Sequence, residues 1–165
     1  MNTAPPRIQL ADDLEVSRLV TGLWQVADME RSGRPLDSES TSAVLADYAR
    51  SGFDTFDMAD HYGSAELITG ALMARARRGE IASIKPVAFT KWCPTPGPMT
   101  AQTVRAGVEE RLKRLGVDCI DLLQLHWWSF EHLSYLDALA ELVRLRDAGL
   151  APEVLPDRWS YPYHG

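Results

Sequence analysis

A carboxylate, a phenol, an ammonium and an imidazole occupy comparable places along this chain. Asp57, Lys91 and His126 each close a short apolar run, and Tyr62 stands in the loop after the first of them. Apolar runs seldom end in Lys or His without cause, because an unpaired buried charge is costly. Together the four groups make a proton-transfer device. A free phenol titrates near pH ~10, too weak an acid to protonate a carbonyl oxygen readily at neutral pH. An ammonium beside it favours the phenolate and lowers that value. A carboxylate next to the ammonium holds it in place and charged, and an imidazole hydrogen-bonds the substrate oxygen or the phenol itself. Tyr62 is then the acid, Lys91 its tuner, Asp57 the partner of Lys91 and His126 the orienter. A positioned acid of this kind contributes about 10²–10⁴ in rate.

Other side chains near these positions have chemical readings too. Trp24, Trp92, Trp127 and Trp128 are candidates for the walls of an apolar substrate pocket, with packing under loops as the alternative. Asp57, Asp60, His61 and His126 do not share the spacing of a metal motif, so no metal is expected. Cys93 follows Lys91, and a nearby cation would favour its thiolate, but nothing else marks it as a nucleophile. Arg75, Arg77 and Arg78 suit the negative end of a helix dipole and read as solvated surface. The chain contains no P-loop and no Gly-x-Gly-x-x-Gly, so a Rossmann-type cofactor site is not supported.

The elements that must position these groups alternate. Short runs rich in β-branched and aromatic residues, Leu19–Trp24, Phe53–Asp57, Val87–Lys91 and Ile120–His126, start 34, 34 and 33 residues apart. Between them lie segments with apolar residues at helical spacing. Asp37–Ser51 ends at Gly52. A second segment is capped by Ser64 and uses Leu67, Ile68, Ala71 and Leu72. Thr100–Leu115 has Thr100 as N-cap and Gly116 as stop, and the last runs from about Glu131 to Ala148. That step is the length of a strand plus a crossover helix, which predicts an α/β fold of βα units on a parallel sheet. Arg7–Gln9 and Glu15–Ser17 predict a small hairpin ahead of them. In such folds the groups that do chemistry gather beyond the carboxyl ends of the strands, where all four candidates fall. A fifth strand is due near residue 153. Pro152 and Pro156 bracket only a few apolar positions there and exclude a buried central strand, so residues 151–165 read as an irregular tail.

Composition narrows the class further. The chain has 165 residues, 45% hydrophobic and 24% charged, a mix suited to a globular core. Lys plus Arg number 17 against 23 Asp plus Glu, a formal charge of −6 that repels phosphate backbones and argues against a nucleic-acid partner. No stretch approaches the roughly 20 apolar residues of a membrane span. The first residues lack the apolar core of a secretory leader, and the expected location is cytoplasmic. Cys93 and Cys119 are then expected as reduced thiols.

The same residues resemble a known family. Gly52-Phe53-Asp54-Thr55-Phe56-Asp57-Met58-Ala59-Asp60-His61-Tyr62-Gly63-Ser64-Ala65-Glu66 is similar to the strand-two signature of the aldo-keto reductases, where Asp and Tyr stand five apart. Phe89-Thr90-Lys91-Trp92 resembles that family's strand-three lysine, and Asp121-Leu122-Leu123-Gln124-Leu125-His126 its strand-four histidine. Arg111-Leu112-Lys113-Arg114-Leu115-Gly116-Val117-Asp118 resembles the preceding helix end, and Thr21-Gly22-Leu23-Trp24-Gln25 the first strand.

The resemblance implies a TIM-barrel-type fold, an oxidoreductase using NADP(H) without metal, and a small aldehyde or ketone as substrate. Hydride would come from the nicotinamide while Tyr62 supplies the proton. The resemblance places Gly22, Leu23, Trp24 and Asp57 near the nicotinamide end. A complete barrel needs roughly 250 residues. The expectation is therefore a partial barrel, with four βα units in residues 1–150 and the tail in 151–165. The family's second half, which holds the adenosine phosphate, has no counterpart here, so NADP(H) is expected to bind weakly. A half-barrel has open edges, and two copies completing a ring is the expected assembly. The alternative is a truncated, non-catalytic relative or binding module.

Overall fold

The computed structural model describes residues 4–81, 84–149 and 154–156. The hairpin comes first, β1 (Arg7–Ala11) antiparallel to β2 (Leu14–Ser17). It is followed by β3 (Thr21–Gly22), α1 (Trp24–Met29), α2 (Ser38–Arg50), β4 (Thr55–Asp57) and α3 (Ala65–Arg77). Next come β5 (Val87–Trp92), α4 (Ala101–Leu115), β6 (Leu122–Leu125), α5 (Tyr135–Asp147) and β7 (Val154–Pro156).

The five strands β3 to β7 pair in sequence order, every pair parallel. That order belongs to one side of a (β/α) barrel; a doubly wound sheet would reverse direction at a switch point. Helices α2 to α5 pack each on the next, forming the outer layer.

Local chemistry explains most boundaries. Asp37 accepts the Ser40 N–H at 2.8 Å and starts α2. Thr100 accepts the Thr103 N–H at 3.2 Å and starts α4, which Gly116 ends in the left-handed region at φ 62°. Both were legible. Ser64 differs: it stands at the N-cap of α3 but makes no side-chain cap, and its N–H is instead drawn to Glu30 at 2.9 Å. The expected first strand is mostly replaced, because Trp24 opens the short helix α1.

The fifth strand is a further correction. Val154–Pro156 pairs with Leu123–Leu125. It is the outermost strand of the described sheet, a place where a residue lacking an N–H is tolerated. Residues 151–153 and 157–165 of the expected tail lie outside the described residues.

Side chains alternate across the strands. Phe56, Ala88, Trp92, Leu123 and Leu125 turn to the helices and bury with Ile68, Leu72, Val104, Val108 and Leu142. On the opposite face Val87, Phe89 and Leu122 bury against Leu14 and Val16. The hairpin thus plugs the amino-terminal end of the sheet's inner face. Burying one such side chain contributes about 1.5–3 kcal/mol, which leaves the carboxyl end as the polar one.

Candidate active site

Asp57 and Lys91 lie on the plugged face, Asp57 level with Phe89 and Lys91 one layer above it. Asp57 pairs with Phe89, and Lys91 with Gln124. The Lys91 ammonium donates to both Asp57 carboxylate oxygens at 2.6 Å and to the Met58 carbonyl at 3.1 Å. It lies 5.6 Å from the centre of the Tyr62 ring. Three of the four candidate groups are therefore gathered at one place.

His126 follows β6, with its backbone N–H donating to the Trp92 carbonyl at 2.8 Å. Its imidazole stacks on Trp128 at 4.2 Å and 28°. His61 links the two sides, 4.8 Å from Tyr62 and 6.0 Å from His126, both edge-on. Trp24 meets Tyr62 edge-on at 5.0 Å. Five rings, Trp24, His61, Tyr62, His126 and Trp128, thus form a chain across the rim.

The loop that carries Tyr62 is held from several sides. Met58 N–H donates to the Phe89 carbonyl at 2.9 Å and Asp60 N–H to the Lys91 carbonyl at 3.0 Å, prolonging the β4–β5 ladder past its last residue. Asp60 in turn accepts the Cys93 N–H at 2.8 Å. Gly63 follows Tyr62 with φ 55°, in the left-handed region where a side chain is strained. Glu30 occupies the space a Cβ there would need. The Glu30 carboxylate accepts the N–H groups of Leu36 at 2.6 Å and Ser64 at 2.9 Å. From the other side Arg114 donates to the Gly63 carbonyl at 2.7 Å. Burial pushes the Glu30 carboxyl up, but its hydrogen bonds with Leu36 and Ser64 outweigh that and hold it below the usual carboxylate range.

Behind the loop a second charged cluster is centred on a buried carboxylate. Glu66 is fully buried and takes Arg114 at 2.7 Å, Arg111 at 3.1 Å and the Thr90 hydroxyl at 2.6 Å. Sequence reasoning missed this cluster and Glu30 alike, although Glu66 closes the very motif that was singled out.

Two of the expected pocket walls are corrected. Trp92 is buried on the helix side, because it follows Lys91 in β5 and successive residues face opposite ways. It packs so tightly on α4 that a Cβ at Gly107 would strike its indole. Trp127 is also in the helix-side core, with its N–H donated to the Ser129 carbonyl at 2.6 Å. The exposed indoles at the rim are Trp24 and Trp128, 49% and 66% exposed. Cys93 accepts the Trp128 N–H, and burial pushes its thiol up rather than toward the thiolate.

The residues expected near a nicotinamide border the same carboxylate. Gly22 pairs with Asp57, and Leu23 N–H donates to the Asp57 carbonyl at 2.8 Å. Nothing lies within 4 Å of where a Gly22 side chain would project, so the rim beside Asp57 is open at that point. Lys91, Arg111 and Arg114 are each engaged by carboxylates. Among the described residues, no three His, Cys, Asp or Glu side chains cluster as metal ligands, and no helix is long and apolar enough to cross a membrane.

Comparison with known proteins agrees with this arrangement. The model of the aldo/keto reductase family matches residues 18–154. A 6-dehydroglucose reductase of Agrobacterium fabrum is 33% identical over 135 residues, which is 73% of this chain and 43% of that protein. An aldo-keto reductase of Mycolicibacterium smegmatis is 27% identical over 92% of this chain and 48% of its own length. The crystal structure of a Bombyx mori aldo-keto reductase in complex with NADP superposes with a TM-score of 0.70 at 21% identity, covering 93% of this chain and 50% of that one. The chain spans about half the length of the relatives it matches.

Proposed function

The chain belongs to the aldo/keto reductase family, and from that premise we propose that its rim carries out NADP(H)-dependent reduction of a small aldehyde or ketone, with Tyr62 as proton donor. One observation carries the reading. The Lys91 ammonium is held by both oxygens of Asp57 while lying 5.6 Å from the Tyr62 ring. A cation near the ring favours negative charge developing on the phenol as its proton leaves. NADP(H), when bound, supplies the hydride. The chain's own residues do the rest. Tyr62 presents its hydroxyl to the carbonyl oxygen and gives up the proton as negative charge develops there. Lys91 stabilises the phenolate that remains. His126, stacked on Trp128, orients the substrate oxygen. Trp24 and Trp128 shed water from the bound face. Gly22, Leu23, Trp24 and Asp57 would hold the nicotinamide.

The proposed cofactor affinity is low, with Lys91, the cation beside the acid, already held by Asp57. The Agrobacterium relative is a 6-dehydroglucose reductase, which supports a small polar carbonyl as substrate class. The test is reduction of a panel of small aldehydes with NADPH in excess, followed at 340 nm. Tyr62→Phe is expected to lower the rate about 10²–10⁴-fold with an unchanged circular-dichroism spectrum. Full activity in that variant would remove Tyr62 as the acid.

A second reading, association through open edges, is favoured by β3 and β7 being the two edge strands of the described sheet. Exposed parallel edges template further pairing. Two copies joined there would bring ten strands into one sheet, and sedimentation is expected to show a dimer. A well-folded monomer at all concentrations would overturn it and leave a non-associating, partial barrel.

A further inference from the structure

We infer that a cavity at the amino-terminal end of β5 and β6 binds an amphipathic monocarboxylate, an aliphatic chain with one acidic end, through Arg77. The site lies at the opposite end of the strands from Tyr62 and is independent of the carbonyl-reducing reading. The cavity has a volume of about 550 Å³, within the range of pockets that hold small molecules. It forms where the end of α3, the approaches to β5 and β6, and the turn between β1 and β2 meet. Leu14, Met73, Ile84, Val117 and Ile120 give it an apolar lining.

The charges around this lining decide what fits. Arg75 and Arg78, at the end of α3, are bound to Glu39 and Glu80. Arg77 lines the cavity instead, its guanidinium 3.8 Å from where a Gly116 side chain would begin. Among the described residues it makes no ion pair. The other charged groups of the wall lie together. Asp121 accepts the Ala88 N–H at 2.9 Å, and burial pushes its carboxyl up against the pull of that bond and of the Lys85 charge. Burial also pushes the Cys119 thiol up, with Asp121 and Asp13 acting in the same direction and Lys85 against them. Lys85 thus meets acidic neighbours, and Arg77 is the cation of the wall left without one. A hydrocarbon chain ending in a carboxylate complements that pattern. The chain covers the apolar lining, and the planar guanidinium takes the carboxylate through two parallel hydrogen bonds. An inorganic phosphate would leave the lining bare, and an ammonium head would be repelled by Arg77.

Octanoate tests this, with octylammonium as the control for its head and acetate as the control for its chain. Cys119 lines the cavity and is exposed, whereas Cys93 lies past the other end of β5. Alkylation of the whole chain by N-ethylmaleimide, read at each cysteine by peptide mass spectrometry, reports occupancy at one thiol and carries its control at the other. Octanoate well above its Kd is expected to slow modification of Cys119 about tenfold and leave Cys93 unchanged. Octylammonium and acetate should protect neither thiol. Arg77→Gln alters an exposed side chain, so its circular-dichroism spectrum should match the parent's. It should weaken octanoate binding about 10–100-fold, the worth of a hydrogen bond to a charged group. Absence of Cys119 protection by octanoate overturns the inference. So does equal protection by octylammonium, or undiminished octanoate binding in Arg77→Gln. Each of these outcomes leaves the Tyr62 reading standing.

Discussion

Two charged clusters hang from adjacent residues of β5 and have opposite fates. Lys91 points to the plugged face and binds Asp57, part-exposed at the rim. Thr90 points to the helices and donates to Glu66, which is fully buried and paired with Arg111 and the part-buried Arg114. The inner-face pair is part-exposed and its ammonium lies 5.6 Å from the centre of the Tyr62 ring, so its charge lies close to the reacting group. The helix-side cluster is saturated, two guanidiniums and a hydroxyl on one carboxylate, and its charge is spent on tying α3, α4 and β5 together. Chemistry and architecture are thus separated by the alternation of a single strand.

The sharpest way to break that contrast is Lys91→Met. Removing the ammonium leaves the phenol untuned, and we expect carbonyl reduction to fall about 10²–10⁴-fold. Stability should change little, about 1 kcal/mol or less, because the Asp57 carboxylate remains part-exposed to water. Urea unfolding alongside the rate assay separates the two quantities. Glu66→Ala should do the reverse. It leaves Arg111 and Arg114 without their buried counter-charge and should cost about 3–5 kcal/mol of stability. A loss below about 1 kcal/mol would show that the helix-side cluster is not structural.

A smaller effect lies between the clusters, at Glu30. Its carboxyl titrates below the usual range, so the unfolded chain binds the proton more readily. The stabilisation it gives is present above the ordinary carboxylate pKa and lost as pH falls through the lowered one. Thermal unfolding below pH ~4 should therefore be less pH-sensitive in Glu30→Gln than in the parent. Identical acid slopes would remove Glu30 as a titrating clamp.

These particulars also show what the sequence could reveal. Asp57, Lys91 and His126 were legible because each interrupts an apolar run where a strand must end, and Thr100 and Gly116 because capping is local. Trp92 and Trp127 were misplaced by treating every rim-proximal indole as a wall; the residue after Lys91 had to face away from it. Glu30, Asp60 and Arg114 act on backbone groups far along the chain, such as Ser64, Cys93 and Gly63. No spacing rule announces such contacts. The fifth strand was missed because proline was weighed as if every strand were central, whereas Val154–Pro156 lies at the sheet's margin.

The adjacency of Thr90 and Lys91 also bears on how the chain finds its native threading. A one-residue slip of β5 would turn every side chain of that strand over. The lysine would then enter a compartment already holding Arg111 and Arg114, while Asp57 lost its counter-charge. Mis-threaded chains would meet like-charge repulsion as soon as the helix layer docked. The strand that delivers the reactive amine therefore also proofreads its own alignment during folding.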